Sequence, residues 1–125
     1  MGPEEASSFA TRWAEAWNRR DLDAVLRHFD DRVVFSSPKA LDVIGAPTVV
    51  GRGNLGDYWR AALSRIDQLH FSVDRVLWDA RRSELAIIYD RHVNGHRDRA
   101  IEMLRFNAMG AVVSGEVFYG VQPEP

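Results

Sequence analysis

The dipeptide Asn94-Gly95 constrains this chain more than any other feature of its sequence. Both residue types accept the positive φ that a type I′ turn demands, and that turn matches the twist of two antiparallel strands. Residues 85–93 and 97–106 flank it with apolar, aromatic and β-branched side chains, so a hairpin is expected and its register is fixed. Arg91 then falls opposite Asp98, Asp90 opposite Arg99, Tyr89 opposite Ala100 and Ile87 opposite Glu102. Both charge pairs come out matched, which supports the alignment independently of the turn.

The rest of the chain is read outward from this hairpin. A second turn at residues 107–110 leads into a last strand from Ala111 to about Val121, and residues 122–125 are expected to fray. Extending the register sets Leu104 opposite Val113, Glu102 opposite Gly115 and Ala100 opposite Val117. Upstream, Phe71, Val73, Val76 and Trp78 mark a strand whose spacing slips by one, as a bulge causes. Phe9, Trp13 and Trp17 recur at helical spacing in a first helix, and Asp21 caps a short second helix carrying Leu22, Val25, Leu26 and Phe29. Val33, Val34 and Phe35 form a brief strand ended by Ser36, Ser37 and Pro38. A long loop over 39–51 precedes a third helix with Leu55, Tyr58, Trp59, Ala62, Leu63 and Ile66. The expected fold is α+β: three N-terminal helices packed on a strongly curved antiparallel sheet, a cone formed by one domain over residues 1–125.

Period-two alternation sorts the sheet residues into faces. Leu85, Ile87, Tyr89, Ala100, Glu102, Leu104, Val113, Gly115, Val117 and Tyr119 share one face, apolar except for a single carboxylate. That face is assigned to the helices, because Phe9, Trp13, Trp17 and Trp59 need a broad apolar partner. The opposite face carries Ile88, Ile101, Met103 and Phe118 toward water, a pattern that points to a homodimer through the outer sheet face.

Composition excludes several classes of function. Basic and acidic residues are interspersed and the net charge is −2, so nothing suggests a nucleic acid or an acidic membrane as partner. The chain has no cysteine, hence no disulfide framework and no thiolate chemistry. No apolar run approaches the roughly 20 residues that span a bilayer, and the acidic start is no secretory signal, so a cytoplasmic address is expected. The histidines do not share a ligand spacing and Gly51-Arg52-Gly53 lacks a phosphate-loop lysine, so neither a metal nor a cofactor is expected.

Three local strings carry a resemblance. Residues 9–35 (an aromatic helix, Asn-Arg-Arg-Asp-Leu, a helix, then Phe-Asp-Asp-Arg-Val-Val-Phe), residues 51–63 beginning Gly-Arg-Gly, and Leu104-Arg105-Phe106 through Gly110 resemble the nuclear-transport-factor-like superfamily. Within it they are most similar to the SnoaL-like and ketosteroid-isomerase-like branch. The resemblance implies a cystatin-like α+β barrel roll with a conical pocket, in a superfamily that includes isomerases, polyketide cyclases, epoxide hydrolases, dehydratases and non-catalytic binding domains. Ketosteroid isomerases place a tyrosine, an aspartate base and a protonated aspartic acid where this chain has Trp13, Ser37 and Glu102. Only Glu102 keeps the chemistry, so steroid-type isomerisation is not implied. The epoxide-hydrolase pattern fails too, since Val117 and Phe118 stand where its second acid would be.

Glu102 is therefore the candidate catalytic residue. A carboxyl facing an apolar interior loses hydration, keeps its proton to higher pH, and can donate a hydrogen bond or take a proton. The alternative is a structural acid satisfied by a Trp or Tyr donor or by Arg91. Trp13, Trp17, Ser37, Tyr58, Trp59, Tyr89, Arg91 and Tyr119 are the candidate ligand-binding residues: indoles for a flat guest, hydroxyls for a carbonyl, Arg91 either for a polar group or as the partner of Asp98. The expected guest is a small, mostly apolar, ring-bearing or carbonyl-containing molecule.

Overall fold

The elements run α1 (Pro3–Asn18), α2 (Leu22–Leu26), β1 (Phe29–Ser36), α3 (Pro38–Ile44), β2 (Thr48–Val50), α4 (Arg52–Leu63), β3 (Leu69–Asp79), β4 (Glu84–Val93), β5 (His96–Phe106) and β6 (Val112–Tyr119). This is a computed structural model that describes residues 1–121; the fraying expected of residues 122–125 lies outside them. One six-stranded sheet has the order β2-β1-β6-β5-β4-β3, and the helices pack against its inner face. All neighbouring strands are antiparallel except β1 and β6, which run parallel.

Local chemistry accounts for the helical layer. Pro3 starts α1 and Glu4 and Glu5 occupy its first turn, where a carboxylate meets the positive end of the helix dipole. Ala6, Phe9, Ala10, Trp13, Ala16 and Trp17 form its buried stripe. Asp21 caps α2 as expected, its side chain accepting from the Ala24 amide at 3.2 Å.

The stretch expected to be a loop is instead a helix and a strand. Ser37 caps α3 by accepting from the Lys39 amide at 3.2 Å, Pro38 takes its first position, and Gly45 ends it at φ 77°. A serine-proline pair followed by a glycine is a start and a stop for a short helix, and the same residues also read as a strand terminator. Thr48–Val50 then pairs with the end of β1. Among the described residues the helices number four, not three, and the third expected one is α4.

The hairpin pairs as the turn dictates, with Arg91 opposite Asp98, Tyr89 opposite Ala100 and Ile87 opposite Glu102. Asn94 and Gly95 sit at φ 51° and 79°. The bulge expected on β3 lies between Val73 and Arg75. Beyond the second turn the expected register is off by two residues: Leu104 faces Gly115, Glu102 faces Val117 and Ala100 faces Tyr119. An irregularity between Arg105 and Phe106 and an asparagine-closed turn cause the offset; the Asn107 side chain accepts from the Met109 and Ala111 amides at 2.9 and 3.0 Å. Ser114 through Tyr119 keep their expected faces, whereas Val112, expected on the outer face, is buried opposite Phe106 because the irregularity turns it inward.

The outer face is less exposed than its sequence suggests. Phe118 is 48% exposed, but Ile101 and Met103 are half-buried and Ile88 is buried. No helix among the described residues is long and apolar enough to cross a membrane.

Candidate functional site

The sheet curls around the helices without closing the space between them, leaving a cavity of about 270 Å³. Its depth follows the rungs of the β4–β5–β6 ladder. The deepest rung, Leu85, Leu104 and Gly115, is filled, because Phe35 from β1 reaches across it. A Cβ on Gly115 would lie 2.7 Å from a Phe35 ring carbon, so only glycine lets this plug seat. The next rung sets Glu102 between Ile87 and Val117, the one after sets Ala100 between Tyr89 and Tyr119, and the one beyond pairs Arg91 with Asp98. From floor to mouth the interior thus passes from apolar through carboxyl and phenols to an ion pair.

Glu102, Trp13, Trp17, Ser37, Tyr58, Trp59, Tyr89, Arg91 and Tyr119 all line this one cavity. Glu102 is 3% exposed, and among the described residues no group hydrogen-bonds its carboxyl. Burial pushes its pKa up to about 8 against the opposing pull of Arg91. Burial likewise pushes Tyr119 up to about 12 and holds Tyr89 well above, and Tyr58 above, their ordinary value. These hydroxyls are therefore donors throughout the physiological range. The Ser37 hydroxyl, which caps α3, lies 3.5 Å from the Tyr119 hydroxyl.

Arg91 is committed to Asp98: one guanidinium nitrogen lies 2.9 and 3.1 Å from the two carboxylate oxygens, and both side chains are buried. This is the geometry of the cross-strand partner, while the guanidinium still stacks 4.9 Å from the Tyr119 ring centre. The aromatic wall is continuous. Trp13 meets Tyr89 edge-on at 4.9 Å and stacks on Phe71 at 5.6 Å, and Trp17 meets Trp59 edge-on at 5.0 Å. The indole nitrogens of Trp13 and Trp17 are buried without a hydrogen-bond partner, so neither satisfies Glu102.

Several lining residues are not legible in the sequence. Phe71 is hidden by the β3 bulge, which blurs which face a residue occupies. Lys39, Asp42 and Val43 come from α3, in the stretch expected to be a loop; the Ser37-Pro38 start signal is what could have found them. Arg65 reaches the mouth from the α4–β3 connection, its guanidinium 3.5 Å from the Asp42 backbone oxygen. That connection is clamped from both sides: Arg20 donates to the Leu63, Ile66 and Asp67 carbonyls, and the Asn94 side chain accepts from the Asp67 and Gln68 amides. Among the described residues no group of three or more His, Asp or Glu is placed to hold a metal ion.

The model of the SnoaL-like domain matches residues 10–116. The chain belongs to the SnoaL-like family. A SnoaL-like protein of unknown function from Burkholderia thailandensis is similar at 33% identity and a TM-score of 0.83, over 92% of this chain and 93% of that one. Two more distant structures share the fold. One is an NTF2-like protein from Burkholderia pseudomallei, with 21% identity, TM-score 0.79, and coverage of 96% and 92%. The other is a protein with a cystatin-like fold from Methylobium petroleophilum, with 19% identity, TM-score 0.78, and coverage of 100% and 81%. No curated protein matches the chain. The cystatin-like, NTF2-like architecture expected of this SnoaL-like chain is therefore the one it has.

Proposed function

We propose that this SnoaL-like domain binds a small, mostly apolar, ring-bearing or carbonyl-containing molecule and performs cofactor-free acid–base chemistry on it through Glu102. The observation that carries this reading is a carboxyl buried on the wall of an aromatic cavity with no hydrogen-bond partner among the described residues. A merely structural acid would be expected to hold a donor, because an unsatisfied buried polar group costs about 1–3 kcal/mol. A group with a pKa of about 8 exists in both forms near neutral pH. It can take a proton from a carbon beside a carbonyl and return it, while the Tyr119, Tyr58 and Ser37 hydroxyls are donors for the carbonyl oxygen. The cavity, at about 270 Å³, lies just under the about 300–1,000 Å³ typical of drug-sized guests, which favours a small ring over a steroid.

The test is α-hydrogen exchange of cyclohexanone in deuterated water, followed by NMR with wild type and Glu102→Gln. Acceleration by wild type and its loss by about 10²–10⁴-fold in the variant is the expected result. Cyclohexanone binding without any acceleration would instead favour the same pocket as a non-catalytic ligand-binding or sensor domain. The outer sheet face belongs to the same proposal as the contact between two copies. A groove of about 430 Å³ between Ile88, Ile101, Phe118 and Val121, rimmed by Arg75 and Arg99, supports it. A cytoplasmic address completes the reading.

A further inference from the structure

The geometry points to a guest that carries a carboxylate, held at the mouth by Arg91 and Lys39, with its ring buried beyond and its far end at Glu102. This rests on the proposed pocket and names the class of molecule it takes. Arg91 is 8% exposed, and only one of its three guanidinium nitrogens is used by Asp98. The other two make no hydrogen bond among the described residues, although the guanidinium lines the cavity. Buried N–H donors on a charged group are worth most when they meet an anionic oxygen. Asp98 neutralises this arginine, so Arg91 supplies direction more than charge.

Lys39 supplies the charge. Its ammonium sits 4.5 Å from the centre of the same Tyr119 ring that Arg91 stacks upon at 4.9 Å, and it has no ion-pair partner among the described residues. Two cations thus share one aromatic ring at the cavity's open end. Arg65 adds a third cation at the rim, against the single unpaired carboxylate of Asp42. An excess of positive groups around the opening concentrates anions there.

The ladder supplies a ruler. Arg91 and Ile87 are four residues apart on β4, so the ion-pair rung and the Glu102 rung are separated by about 13 Å of strand. Phe71, Tyr89 and Trp13 form the wall between.

Isothermal titration calorimetry with phenylacetate and its neutral methyl ester tests the assignment. Wild type should bind phenylacetate at least tenfold more tightly than the ester at low salt, with the advantage shrinking as salt rises. Lys39→Met should cut that advantage about three- to tenfold and leave ester binding unchanged. The paired variant Arg91→Met with Asp98→Leu, which leaves no buried charge alone, should remove most of what is left. If the ester binds and phenylacetate is no tighter, the carboxylate class is wrong while the pocket stands. Loss of both ligands equally in Lys39→Met overturns the assignment as well. Failure of wild type to bind either ligand overturns the pocket itself.

Discussion

The two ends of the curled sheet are built from the same three strands and do opposite things. At the closed end, Leu85, Leu104 and Phe35 are essentially inaccessible, and Gly115 is the missing side chain that lets them meet. At the open end, one rung carrying two tyrosines and an Arg91–Asp98 pair hold the walls apart, and the space between is left to aromatic faces. The curvature is shared; side-chain size and charge decide where the cone is solid and where it is hollow. Packing pays for the hollow, since a filled floor anchors the walls above it.

The largest effect should come from breaking the open end. Asp98→Ala leaves the Arg91 guanidinium buried and unpaired, which should cost about 3–5 kcal/mol of stability in urea denaturation. A much smaller loss would show that this end is wetter than the closed one. Next is the pH dependence of Glu102, whose folded-state pKa of about 8 stands above its ordinary 4.5. The folded form binds the proton more tightly, so this group's stabilising contribution is complete below pH 4.5. It is lost as pH rises toward about 8. Each tenfold difference in proton affinity between the folded and unfolded chains is worth about 1.4 kcal/mol. Wild type should therefore weaken by a few kcal/mol across that window, and Glu102→Gln should flatten the slope. An identical slope in both proteins would place that carboxyl in water.

At the closed end, Gly115→Ala forces a methyl against the Phe35 ring and should cost about 1–3 kcal/mol, with a visible fall in melting temperature. Unchanged melting would mean that the floor yields, and the contrast between the two ends would blur. The smallest effect on stability belongs to the outer face, where Ile101→Glu should shift sedimentation from two copies to one. An unaltered mass would remove that face from consideration as a contact.

What the sequence discloses follows the range of the interactions involved. Asn94-Gly95 is a local signal that aligns Glu102, Tyr89 and Arg91 on one face, and the apolar residues sharing that face mark it as the inner one. The SnoaL-like strings disclose the architecture because they span most of the chain. Helix α3 is obscured because Ser37-Pro38 serves equally as the end of a strand and the start of a helix. The parallel pairing of β1 with β6 joins segments far apart in the chain, and no local pattern records it. Nor could spacing reveal that Asp98 would take only one nitrogen of Arg91, or that Phe118 would stay exposed while Ile88 is covered. Those outcomes depend on curvature, which sums over the whole sheet.

The alternation of inner and outer faces along β6 has a consequence for how such a domain can change over time. Insertions or deletions around residues 107–110 that slide the final strand by two leave Val117 and Tyr119 inside, so the cavity is merely recut to a new depth. A slide by one would invert the strand, turning Glu116 and Phe118 inward and destroying the site in a single step. Length variation at this turn is therefore quantised in pairs, a ratchet by which relatives could acquire differently sized chambers from one ancestral ladder.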